Sequence, residues 1–141
     1  MFKHILLPTD GSELSNGAVE GGVRLAKALG ARVTGLCVIV ESQVAAGIGK
    51  ALTGDRDLAV EAAEDFLGVI AREAKRSDVP HEIFHVRAAH AHEAILGTAT
   101  ARGCDLIHMA SHGRRGIANL LLGSEAMQVV TRGAIPVLVH R

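Results

Sequence analysis

Short apolar runs alternate with segments of helical period along the whole of this sequence. The runs fall at residues 2–7, 33–40, 81–86, 104–109 and 135–139. Four helix-period segments separate them, and strands that alternate with helices form parallel sheets with right-handed crossovers. The pattern therefore predicts an α/β protein, a single doubly wound domain over residues 1–141 with helices on both faces of one sheet.

Turn and cap residues mark where the helices begin and end. Ser12 is a typical N-cap for the first helix, and Gly30 is placed to close it. The later helices are predicted at 57–76, 90–101 and 124–132. Residues 41–54 carry three glycines without clear periodicity, so we expect an irregular flap there.

Two features of the strands favour one strand order. The run at 81–86 alternates polar and apolar residues, which is typical of a half-exposed strand, and Pro136 cannot donate to an interior ladder. We therefore expect the third and fifth strands at the edges and the order 3-2-1-4-5.

Composition excludes several classes of partner. Lys and Arg number 15 and Asp and Glu also 15, so no net field attracts nucleic acid or a membrane surface. The N-terminus lacks a signal-peptide pattern, and no apolar run reaches the roughly 20 residues of a membrane helix. Cys37 and Cys104 lie in apolar runs and are expected to be reduced. We expect a cytoplasmic protein with no nucleic-acid or membrane partner.

A ligand site is predicted where the strand order reverses. In doubly wound sheets, ligands bind at the carboxyl ends of the strands at this switch point, which here lies between the first and fourth strands. The loops that meet there are 8–12 and 110–113. Asp10 offers a carboxylate for sugar hydroxyls, while Gly113, Gly116 and Gly123 free backbone N–H groups for an anion.

Each of these features also has a plainer interpretation. Asp10 also suits a turn before a helix, and Ser124 a simple N-cap. Glu125 would repel a phosphate and suits the dipole of its own helix. Arg114 and Arg115 are as consistent with solvated surface as with phosphate binding. The functional interpretation gains weight because all these residues converge on one crevice.

The two loops resemble a known family. Ala110-Ser111-His112-Gly113, nine residues and then Gly123-Ser124 resembles the universal stress protein signature Gly-x2-Gly-x9-Gly-(Ser/Thr). Residues 5–12, 105–109 and 135–139 look like the first, fourth and fifth strands of that family. The resemblance covers the whole chain. It implies a Rossmann-like, adenine nucleotide alpha hydrolase-like fold and a homodimer paired through the last strand.

The resemblance to the ATP-binding branch also implies ligand and site residues. Asp10 would hold the nucleoside, Val38 would meet adenine through its backbone, and the glycine loop would wrap the phosphates, with Mg²⁺ as a possible companion. The implied binding residues are Pro8, Thr9, Asp10, Val38, Met109, Ala110, His112, Gly113, Gly123 and Ser124. Ala110 departs from the signature glycine and would be strained only if its φ were positive.

The implied function is a nucleotide-loaded switch or sensor in the stress response, with at most slow ATP hydrolysis and no catalytic residues. ATP, AMP and cyclic AMP remain open, and the glycine loop favours the longer polyphosphate. A dimeric interaction module without nucleotide is the alternative. Gly49-Lys50 lacks the other residues of a Walker motif, and only Gly11 follows the first strand where a dinucleotide fingerprint would stand.

A resident metal site is not expected. His90 and His92 are two positions apart, a spacing that on a helix places them on different faces. The third candidate, His85, lies on another element, so no ligand spacing is present.

Overall fold

The computed structural model describes residues 1–45, 57–113 and 122–141. Its strands are β1 (His4–Pro8), β2 (Arg32–Val40), β3 (His81–Ala88), β4 (Leu106–Ala110) and β5 (Val137–His140). Its helices are α1 (Glu13–Leu29), α2 (Glu41–Ala45), α3 (Leu58–Arg76), α4 (Ala91–Arg102) and α5 (Ser124–Arg132). Among these helices, none combines the length and the apolar character that a membrane crossing requires.

The strands of the described ranges form one parallel sheet of order β3-β2-β1-β4-β5. The predicted order and both predicted edges are confirmed. Pro136 lies just before β5, where its carbonyl accepts a hydrogen bond from Ile107 N at 2.9 Å. Its missing N–H costs the strand pairing no bond, because Pro136 precedes β5 and the pairing with β4 begins at Val137.

Successive residues of the central strand supply two separate cores. Ile5 and Leu7 pack with α1 and α3 on one face of the sheet, and Leu6 packs with α4 and α5 on the other. All three side chains are fully buried. Alternate residues of a strand point to opposite faces, so a strand covered on both sides is apolar throughout.

The glycines of α1 allow the helix to approach the sheet closely. A Cβ on Gly22 would lie 2.3 Å from Cδ2 of Leu7 and 2.6 Å from Nδ1 of His108. Neither neighbour can retreat, because both side chains are buried. This close approach explains why glycine stands at position 22, although glycine inside a helix costs about 1 kcal/mol relative to alanine.

Some local predictions are corrected. Residues 41–45 of the expected irregular flap form α2, and the rest of that flap lies outside the described residues, as do Arg114, Arg115 and Gly116. The N-cap of α5 is Gly123, so the interpretation of Ser124 as the cap is wrong. Ser12 and Gly30 cap α1 as expected; Ser12 accepts from Ser15 N, and Gly30 has φ 64°.

Candidate functional site

A cavity of about 740 Å³ opens at the carboxyl ends of β1, β2 and β4. It lies at the place where the strand order reverses, between β1 and β4. The structure brings together the predicted binding residues that it describes, while Gly116 lies outside the described residues. Those that line the cavity are Pro8, Thr9, Asp10, Val38, Met109, Ala110, His112, Gly113, Gly123 and Ser124.

The loop after β1 holds Asp10 in a tight turn. Asp10 Oδ1 accepts a hydrogen bond from Ser12 N at 3.0 Å, and Asp10 N donates to Ser15 Oγ at 3.3 Å. The Ser15 hydroxyl in turn donates to Thr9 Oγ1 at 3.0 Å. The turn-stabilising role of Asp10 is thus present. These bonds also fix the carboxylate at the wall of the cavity, since Asp10 lines it.

The end of β4 is tied directly to the start of α5. Gly123 N donates to Ser111 O at 2.6 Å, and Ser111 N donates to His140 O at 2.7 Å. A Cβ on Gly123 would lie 3.0 Å from that same Ser111 oxygen, so the close approach favours glycine. The signature residues 110–113 and 123–124 are therefore held side by side.

Ala110 causes no strain at the first signature position. It is the last residue of β4, and among the described residues only Asp78 combines a side chain with a positive φ. Extended backbone is open to any residue. The departure from glycine therefore leaves the geometry of this loop intact.

The first turn of α5 faces the cavity, and no described residue caps it with a side chain. Gly123, Ser124, Glu125 and Ala126 line the cavity, and the N-cap Gly123 has no side chain to accept from the helix. The first N–H groups of a helix lack partners within the helix and carry the positive end of its dipole. This end of the cavity is suited to an anion.

The Glu125 side chain turns away from its own helix toward α4. Its Oε2 accepts from His92 N at 2.8 Å and from His92 Nδ1 at 2.9 Å. Glu125 lies in the first turn of α5 as expected, and its carboxylate also caps α4, which was not predicted. His90 is the extended N-cap of α4, and its ring stacks on that of His92 with centroids 5.6 Å apart. The prediction that these rings lie on different faces is wrong, since His90 precedes the helix.

One wall of the cavity is apolar, and apart from Val38 its residues were not among those predicted for the site. It is formed by the α3 residues Ala59, Ala62, Ala63 and Phe66, beside Val38 of β2. Three of the four are alanine at the spacing i, i+3 and i+4 of one helix face. These small residues were the signal in the sequence that could have predicted the wall, because small side chains leave room between a helix and a sheet.

His112 stands at the polar end of the cavity. Its Nδ1 is 2.9 Å from Ser111 Oγ, while its Nε2 is buried and has no hydrogen-bond partner among the described residues. A buried ring nitrogen without a partner is costly, so this atom is suited to meet a polar ligand group. The cavity therefore combines an apolar slot, a carboxylate and an anion-favouring helix start.

His108 of β4 and Cys104, two residues before that strand, add no charge to this site. Burial, with a smaller contribution from the charge of His140, lowers the pKa of His108 to about 4. Burial raises the pKa of the Cys104 thiol to about 11. Both groups are therefore neutral near pH 7. Over the described ranges, no group of three or more His, Cys, Asp or Glu side chains is arranged to hold a metal ion.

Fold and site together define a doubly wound α/β protein with a ligand cavity at its switch point. More particularly, the chain belongs to the universal stress protein family, whose model matches residues 1–141. A universal stress protein of Thermus aquaticus is 33% identical over 142 residues and covers 100% of both chains. Universal stress protein YxiE of Bacillus subtilis is 31% identical, again over 100% of both.

Solved structures show the same fold. The hypothetical protein MJ0577 superposes with a TM-score of 0.81 at 29% identity, covering 99% of this chain and 96% of that one. A universal stress protein solved with cAMP has a TM-score of 0.73 at 22% identity, covering 98% and 95%. One from Archaeoglobus fulgidus solved with dAMP has a TM-score of 0.72 at 15% identity, covering 100% and 98%.

Proposed function

We propose that this protein binds an adenine nucleotide, with ATP as the principal ligand, and acts as a nucleotide-loaded switch or sensor. The observation that carries the proposal is the convergence of all the signature residues on one cavity, with an apolar wall and an uncapped helix start. The universal stress proteins solved with cAMP and with dAMP support an adenine nucleotide as the class of ligand.

The cavity suggests how the nucleotide would lie. The base would enter the apolar slot between α3 and Val38, and Asp10 would accept from ribose hydroxyls. Met109, Ala110 and His112 would follow the ribose and the first phosphate. Gly113, Gly123 and Ser124 would hold the terminal phosphates at the start of α5, with Mg²⁺ and its waters neutralising part of their charge.

We propose binding rather than turnover as the main activity. Among the predicted site residues, only His112 places a ring nitrogen at the polar end of the cavity, where a base could act. Its Nδ1 is already engaged with Ser111. A general base needs a partner that orients it toward a water, and no carboxylate contacts the His112 ring among the described hydrogen bonds. Hydrolysis of ATP would accordingly be slow.

We further propose that the protein is a homodimer paired through β5. This strand is an edge of the sheet, and Leu138 on it is 42% exposed. Met127 and Val130 of α5 are exposed large apolar residues near the same end of the chain. An exposed edge with apolar side chains favours pairing with another strand.

The proposal is tested by identifying what the protein carries. Protein purified without added nucleotide is denatured, and the released ligand is identified by mass spectrometry. Emptied protein is then titrated by calorimetry with ATP, ADP, AMP and cyclic AMP, each with and without Mg²⁺. We expect an adenine nucleotide, with ATP bound most tightly. No released nucleotide and no heat at millimolar ATP would instead indicate a ligand-free dimeric module.

A further inference from the structure

His92 and Glu125 join the beginnings of two helices beside the cavity. Glu125 Oε2 receives two hydrogen bonds, from the backbone N–H and from the ring Nδ1 of His92, at 2.8 and 2.9 Å. His92 is only 8% exposed. The side chain of an exposed glutamate can normally adopt several directions. Two hydrogen bonds to one buried residue hold the Glu125 carboxylate in a single direction.

The Glu125 carboxylate also determines the role of Nδ1 in the His92 ring. An ionised carboxylate only accepts hydrogen bonds, so Nδ1 of His92 carries a proton. The backbone N–H of His92 belongs to the first turn of α4, and the N-cap His90 makes no side-chain bond to that turn. Glu125 therefore supplies the cap that α4 lacks, and its charge is balanced by the α4 dipole.

The direction of Glu125 matters because it is the second residue of α5. An acidic side chain in the first turn of a helix is attracted to the N–H groups and dipole of its own helix. In that position it would compete with a phosphate and repel it. The structure shows the carboxylate bound to α4 instead, and Gly123 and Ser124 at the start of α5 line the cavity.

We propose that His92 is a positioning residue for nucleotide binding, which holds the Glu125 carboxylate on α4 and so keeps the start of α5 free for the terminal phosphates. This inference rests on the proposed function. It predicts that the effect of His92 on affinity depends on the number of phosphates in the ligand and not on the base. The histidine touches no ligand and acts through the glutamate.

The test compares His92→Ala with the double variant His92→Ala/Glu125→Gln by calorimetric titration with ATP, ADP and AMP. We expect His92→Ala to weaken ATP binding about twofold to fivefold, the range of helix-terminus charge effects, and AMP binding less than twofold. The double variant should regain the ATP affinity, because the released side chain then carries no charge. Loss of packing between α4 and α5 would not be reversed in this way.

Three single variants complete the design. His92→Asn keeps an N–H donor near the position of Nδ1 and should bind ATP as the parent does. His90→Ala is the matched control, because His90 stacks on His92 but has no bond to Glu125. Glu125→Gln changes an exposed side chain, so it should fold normally and bind ATP at least as tightly as the parent.

The outcomes separate this inference from the proposed function. Equal losses for ATP and AMP in His92→Ala, or no recovery in the double variant, would overturn the role of His92 while leaving nucleotide binding intact. Tighter ATP binding by His92→Ala would do the same. Absence of any nucleotide binding by the parent protein would overturn both.

Discussion

Asp10 and Gly113 lie so close together that a side chain at residue 113 would displace the Asp10 carboxylate. A Cβ on Gly113 would lie 2.6 Å from Oδ2 of Asp10. The backbone of Gly113 is not in the left-handed region, so this approach, rather than φ, is what favours glycine here. The loops after β1 and β4 therefore constrain each other directly, and the carboxylate of Asp10 is placed by both.

This contact predicts a binding defect from a substitution at a loop. Gly113→Val should push the Asp10 carboxylate away from its place and weaken ATP binding by about tenfold or more, the cost of one hydrogen bond to a charged group. Thermal melting should change little, since Gly113 is exposed. Calorimetry with ATP makes the measurement. Gly97→Val is the matched control, because a Cβ there meets no neighbour; equal affinities for the two variants would contradict the proposed site.

The glycine of α1 that faces the sheet predicts a loss of stability. Gly22→Ala would place a methyl group against Leu7 and His108, and overpacking a rigid core costs about 1–3 kcal/mol. Gly97→Ala lies in a helix facing open space and should instead stabilise by about 0.5–1 kcal/mol. Urea unfolding of both variants measures the free energies of unfolding. A stabilised Gly22→Ala would show that α1 moves outward at no cost.

The strand order could be predicted because it depends on local chemistry. Pro136 cannot donate inside a sheet, and the alternation of polar and apolar residues at 81–86 indicates a half-exposed strand. Each edge of the sheet can therefore be predicted from the residues of one strand. The place of the cavity then follows from the order. Helix starts were predicted where a side chain caps them, as Ser12 does.

Contacts between distant elements could not be predicted in the same way. His92 and Glu125 are separated by 33 residues, and nothing near either one indicates that they meet. The helical spacing rule also failed for His90 because that residue is an extended N-cap, where the period of the helix does not yet apply. The alanines of α3 fit both a core face and a cavity wall, and only the packed structure distinguishes the two.

The buried histidine of β4 predicts acid sensitivity. The pKa of His108 is about 4 in the folded protein and about 6.5 in the unfolded chain, so the unfolded chain binds more protons between these values. Stability is therefore complete above about pH 6.5 and is lost as the pH falls toward 4. The difference of about 2.5 units corresponds to roughly 3 kcal/mol at the acid limit.

The measurement is the free energy of unfolding in urea at pH 7.5 and pH 4.5. His108→Gln removes the titrating ring, so the difference between the two pH values should shrink by about 2 kcal/mol or more. His4 contributes in the same direction, because burial and the charge of Arg32 also lower its pKa. His81→Gln changes an exposed ring and serves as the control. An unchanged difference in His108→Gln would show that the acid sensitivity arises elsewhere.

The exposed edge of the sheet predicts the surface through which two copies pair. Leu138 on β5 and Ile83 on β3 are large apolar residues of similar exposure, 42% and 38%, on opposite edges of the same sheet. Leu138→Lys places a charge where the proposed partner strand would lie, and charged residues on edge strands oppose pairing. We expect a dimer for the parent, a monomer for Leu138→Lys and a dimer for Ile83→Lys in analytical ultracentrifugation. If Ile83→Lys is a monomer and Leu138→Lys is not, the interface lies at β3 instead. If the parent protein is itself a monomer, the proposed dimer is wrong.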